Sequence, residues 1–178
     1  MGTRLEQNEY APYYQPYVEL VPEGDIITIL SNQMTEMVVF LKDMTNLQAE
    51  YRYGEGKWSI KEVIGHVIDT ERIMGYRLLS IARGERGNLP GFNEDEYVRQ
   101  AAFTEQSIED LLQHFSIVRQ STIVLLKSLS IENWLRRGMA NEYEITVRAL
   151  AVILAGHELH HRRIIKERYI NSDSYPNE

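Results

Sequence analysis

The chain has 178 residues, 43% of them hydrophobic and 25% charged, no cysteine and a formal net charge of -7. That composition suits one soluble domain over residues 1–178 with a true core, and the missing cysteines exclude disulfides, thiolate metal ligands and a sulfur nucleophile. The negative balance opposes a nucleic-acid partner, and the lack of an apolar leader or spanning run predicts a cytoplasmic protein with no membrane partner.

Residues 1–22 are rich in Tyr and Pro (Tyr10, Pro12, Tyr13, Tyr14, Pro16, Tyr17, Pro22) and show no helical period, so they read as an aromatic arm laid over the body. From Asp25, the apolar positions Ile26, Ile29, Leu30, Met37, Phe40 and Leu41 predict a first helix fading near Asp43. Ser59-Ile60-Lys61-Glu62 fits a capping box and opens a second helix that runs to about Arg83, where Gly84 closes it. Residues 84–103 form a long connection punctuated by Gly84, Gly87, Asn88, Pro90 and Gly91, of the kind that covers a pocket. A third helix is predicted over 105–129, a turn from Trp134 to Gly138, and a fourth helix from Thr146 to about Tyr169. No strand run is evident. The expected fold is therefore all-α, a four-helix bundle.

His157-Glu158-Leu159-His160-His161 matches the H-E-x-x-H string of zinc proteases, in which two imidazoles one turn apart share a metal. The extended protease signature fails, with Ile164 at its Gly position and Glu167 at its last His position, and no downstream carboxylate is placed to serve as third ligand. On a helical wheel His157 and His161 lie about 40° apart inside the apolar stripe, where their nitrogens need either a hydrogen-bond partner or a shared cation. His160 falls at the stripe's edge. A third imidazole is available upstream: His66 borders the core stripe of the second helix, whereas His114 reads as surface or half-buried. His66, His157 and His161 together form the candidate metal set, built from inward side chains of two bundle helices.

Trp58-Ser59-Ile60-Lys61-Glu62-Val63-Ile64-Gly65-His66, then Asp69-Thr70-Glu71-Arg72, and the later Ala155-Gly156-His157-Glu158-Leu159-His160-His161-Arg162 resemble the DinB-like (YfiT-like) superfamily over nearly the whole chain. The resemblance implies an up-down-down-up four-helix bundle, a three-His metal centre on His66, His157 and His161, and a homodimer. Characterised relatives of that superfamily use a low-molecular-weight thiol, as bacillithiol S-transferases and mycothiol-dependent isomerases do, and many others carry only the name of metal-dependent hydrolases. Several relatives follow the last ligand with Arg-Gly-Gln, whereas this chain reads Arg162-Arg163-Ile164.

The expected activity is thus that of a metal-dependent enzyme on a small-molecule substrate, either a thiol-dependent S-transferase or a hydrolase, with Zn or Ni as the divalent ion. The alternatives are a non-catalytic bundle stiffened by its metal, and histidines that bind nothing. Glu158 is the candidate catalytic base by analogy with the protease string, against a hydrated carboxylate at the stripe edge. Asp69, one turn from His66, either orients an imidazole or is solvated. Glu71 falls within the stripe and is expected to pair with an Arg or cap a neighbouring segment. Arg162, Arg163 and Arg168 either bind an anionic thiol or lace the helix surface, the second being the safer reading.

Overall fold

The computed structural model describes residues 1–177. Four long helices carry the core: α1 (Ile26–Leu41), α2 (Ile60–Ala82), α3 (Ile108–Lys127) and α4 (Val147–Ile164). Each starts at a side-chain cap. Asp25, Ser59, Ser107 and Thr146 accept from the backbone N–H three residues on, and Glu62 returns the bond to Ser59 as the capping box requires. Gly84, at φ +98°, supplies the left-handed residue that stops α2. Beyond α4 the chain continues as a π-helical turn, Ile165–Ile170, that carries the buried Tyr169. No described helix is long and apolar enough to cross a membrane.

α1 packs on α3 and α4, and α2 packs on the same two helices. α1 and α2 therefore stand diagonally opposite, as do α3 and α4, which places α2 beside both α3 and α4. The apolar core divides into two clusters. One includes Leu30, Leu78, Leu126 and Leu150; the other includes Met37, Ile64, Phe115 and Ile165. Between them, at one level of all four helices, lie the buried polar residues Gln33, Thr70, Glu71, Arg119, His157 and Glu158. Buried polar groups demand partners. Arg119 Nε donates to both Glu71 oxygens at 2.8 and 2.9 Å, its Nη1 donates to Gln33 Oε1 at 3.0 Å, and Gln33 Nε2 donates to Ala155 O at 3.0 Å. The Arg expected for Glu71 is thus Arg119.

The connections hold more structure than the sequence suggests. The absence of strands is corrected by a small three-stranded sheet: β1 (Asn88–Leu89) runs parallel to β2 (Arg137–Ala140), which pairs antiparallel with β3 (Tyr143–Thr146). Asn141 and Glu142 take φ of 52° and 69°, the positive pair a two-residue hairpin needs, without the Gly that usually announces it. The segment 84–103 also contains a two-turn helix, Glu94–Gln100, capped by Asn93. The supposed turn near Trp134 is a short helix, Ile131–Leu135, that leads into β2.

The arm does lie on the body, as 3-10 turns at Gln7–Glu9 and Pro12–Tyr14 and a four-residue helix Gln15–Val18 against α4. A buried ion pair anchors it: Glu9, 3% exposed, accepts from Thr146 Oγ1 at 3.0 Å and from Arg148 Nε at 2.9 Å. Burial pushes the Glu9 carboxyl up, but Arg148, the Glu6 N–H and Thr146 outweigh it and hold the group below its ordinary 4.5. A depressed folded-state pKa stabilises above the unfolded value, and that contribution drains as pH falls through the folded one. Glu9→Gln is expected to lose roughly 1.5–3 kcal/mol at pH 7 and to flatten the acid side of the stability curve below about pH 4.5, measured by urea unfolding from pH 3 to 7.

Candidate metal centre

α2 and α4 bring the three predicted imidazoles together. His66 Nε2 lies 3.0 Å from His157 Nε2, and His161 Nε2 lies 3.1 Å from the same atom. The ring centroids are 4.5–5.0 Å apart. Helix spacing accounts for the pair on α4, one turn apart on a shared face. The third ring depends on packing, which sets α2 alongside. His66 and His157 are buried and His161 is half-buried.

Three converging Nε2 atoms do not satisfy one another. A neutral imidazole nitrogen is either a donor or a single in-plane acceptor, so His157 Nε2 cannot bond well to two ring nitrogens at once. Imidazoles at ~2.0–2.1 Å from one ion stand roughly 2.8–3.4 Å apart for angles between octahedral and tetrahedral. The donor set therefore fits a divalent cation. Desolvation by burial lowers His66 to about 4, with nearby Asp95 opposing, and drives His157 and His161 well below 6.5, so all three rings keep neutral lone pairs at pH 7.

Aromatic neighbours fix the rings. Tyr17 packs edge-on against His157 at 5.6 Å and His160 at 5.2 Å, and Trp58 lies 4.9 Å from His66. The Tyr17 backbone reaches α4 because residue 156 is Gly: a Cβ there would stand 2.0 Å from the Tyr17 carbonyl oxygen. Two cavities border the triad. One, of about 200 Å³, is lined by His157, Thr70, Arg77 and the arm tyrosines; the other, of about 230 Å³, is lined by His161, Trp58, Tyr169 and Asp95.

The remaining candidates fall outside the cluster. Glu158 is fully buried, not hydrated at a stripe edge, because α4 is enclosed on all sides from Ala149 to Glu158. Its carboxylate stands 3.0 Å from Arg162 Nε without a well-formed hydrogen bond, burial pushes it up to about 7, and it lines neither cavity. Asp69 pairs with Arg72 at 3.3 Å, and among the described residues no carboxylate hydrogen-bonds any of the three rings. His160 sits beside Tyr17 and His114 is exposed. Arg162 pairs with Glu36 at 2.7 Å, while Arg163 and Arg168 are exposed. Sequence reasoning missed Asp95, Thr70 and Arg77. Asp95 carries no local signal in the connection, and the other two read as ordinary helix residues.

Comparison with known proteins agrees with this architecture. A protein of Oceanobacillus iheyensis named "Putative metal-dependent hydrolase" is 28% identical over 142 residues, covering 79% of each chain. The solved structure of YfiT from Bacillus subtilis, described as "a probable metal-dependent hydrolase with an unusual four-helix bundle topology", superposes with a TM-score of 0.74 at 16% identity, over 92% of this chain and 90% of that one. That likeness establishes the four-helix bundle fold. The DinB superfamily model matches residues 30–165, a span that holds all three imidazoles and every bundle helix but the first turn of α1, and the chain belongs to that superfamily.

Proposed function

We propose that this protein is a metal-dependent hydrolase of a small molecule, with a divalent cation held by Nε2 of His66, His157 and His161. The observation that carries the reading is the triad's access to two cavities, since a purely structural site is closed by protein ligands on every side. The names of the similar proteins support hydrolysis. Imidazole donors suit Zn and Ni alike. When bound, the cation supplies Lewis-acid polarisation and an activated water.

The chain's own groups supply the rest. Trp58 packs against His66 and Tyr17 against His157, which holds these rings in place. Among the described residues Asp95 is the one carboxylate lining the cavity at His161, and its charge acts on His66. It is the group placed to take the proton from an attacking water and return it to the leaving atom, a role that Glu158, buried against Arg162, does not fill. A thiol-dependent S-transferase is the second reading. It is favoured by the presence of two cavities, one for a low-molecular-weight thiol and one for an electrophile.

A screen of esters, amides and thiol conjugations, with and without chelator, tests the proposal. Hydrolysis is expected to vanish on chelation and return with Zn or Ni, and Asp95→Asn is expected to lower kcat by roughly 10²-fold with little change in KM. Thiol conjugation without hydrolysis would select the second reading. Activity indifferent to chelation and to His157→Ala would exclude both.

A further inference from the structure

The cavity that ends on His157 has a wall the metal does not explain. Arg77, 3% exposed, lines it. Its Nη2 donates to Pro90 O at 2.6 Å and its Nη1 approaches Met74 Sδ at 3.5 Å, while Nε is buried with no hydrogen-bond partner. Among the described residues no carboxylate lies within 4.0 Å of this guanidinium; the other deeply buried Arg, Arg119, has Glu71. A buried cation without a counter-charge is costly. Thr70 Oγ1, also buried and without a partner, lines the same cavity.

His66, Thr70, Met74 and Arg77 share one face of α2, and the last three line the cavity together with His157 of the triad. Arg77 stands eleven residues after His66, about 16 Å along the axis, and a helical side chain leans back toward the N-terminus and so toward the triad. Tyr14 and Tyr17 add phenol donors. Burial pushes both up, Tyr17 to about 12, while the adjacent Arg77 guanidinium opposes the rise at Tyr14. Met74, Ile153 and Phe92 complete the wall with apolar surface, and among the described residues the sole carboxylate is Glu94, exposed at the rim.

We propose that this cavity is a carboxylate-binding subsite: it takes a small monocarboxylate whose anionic group pairs with Arg77 and Thr70 and whose apolar body lies among the tyrosines, Phe92 and Met74. The role as substrate side rests on the metal-dependent reading above; the anion site itself does not. A guanidinium and a hydroxyl lining one cavity offer a carboxylate a charged and a neutral donor. Glu94 disfavours a second negative group at the mouth.

The test is calorimetric titration of 3-phenylpropionate and of 3-phenylpropanamide into protein stripped by chelator and into zinc-loaded protein. The stripped wild type is expected to bind the carboxylate at least about tenfold tighter than the amide. In Arg77→Met the two affinities become equal, and Thr70→Val weakens the preference. Equal affinities in the stripped wild type, binding of neither compound, or an undiminished preference in Arg77→Met would overturn the subsite. A preference seen only with zinc would place the carboxylate on the cation and also overturn it. The wild-type comparison needs no variant to fold. The preference is read in metal-stripped wild type and metal dependence only in the hydrolysis screen, so loss of the metal reading and loss of this one are separate results.

Discussion

Glu71→Gln is expected to destabilise the protein by roughly 3–5 kcal/mol, because it leaves the Arg119 charge uncompensated at the centre of the bundle. Arg119 is fully buried, and its other contacts are neutral: the oxygens of Gln33 and Leu30 and the Phe115 ring face. At about 2–4 °C per kcal/mol for a chain of this size, the loss should appear as a Tm lower by roughly 6–20 °C. Deleting the charge altogether behaves differently. Glu71→Leu combined with Arg119→Met exchanges a desolvated pair for apolar volume and is expected to recover most of the loss. The double-mutant cycle by urea unfolding measures the coupling. A single-variant loss below about 1 kcal/mol would mean that the pair is solvated or replaceable.

Gly156→Ala is expected to have the second large effect, and one that reaches the metal centre. The added Cβ would stand 2.0 Å from Tyr17 O and 2.5 Å from Tyr17 C, both backbone atoms that no rotamer change can move. The arm must lift or α4 must shift, at about 1–3 kcal/mol or more. Since Tyr13, Tyr14 and Tyr17 line the cavity at His157, lifting the arm removes one of its walls. Faster proteolytic cleavage within residues 1–22 together with a lowered Tm is the expected outcome. Wild-type cleavage and an unchanged Tm would show that the close approach of Tyr17 to α4 does not matter for stability.

Much of this architecture follows from local pattern. The four bundle helices carry their period and caps in the chain, and Ser59 with Glu62 marks the start of α2 to the residue. His157 and His161 are readable because one helix fixes their spacing, and His66 because it borders its stripe. What escapes the sequence is decided by neighbours distant in the chain. The position of Glu71 inside its stripe implies a partner, but Arg119 is 48 residues away and unmarked. Glu158 is misplaced by the wheel, which assumes one dry face, whereas the arm, α1 and α2 enclose α4. The hairpin is silent because Asn141 and Glu142 adopt left-handed backbone without Gly. Arg77 and Thr70 gain meaning only from the partners they lack.

The most direct measurement is metal content across the triad. Wild type and the three single variants His66→Ala, His157→Ala and His161→Ala would be incubated with zinc, freed of loose ions by gel filtration and analysed for zinc per chain. About one ion per chain is expected in the wild type and less than about a tenth in each variant, since two imidazoles do not hold the cation through the column. Full occupancy in His66→Ala would contradict a centre shared between α2 and α4, because only that ring comes from α2.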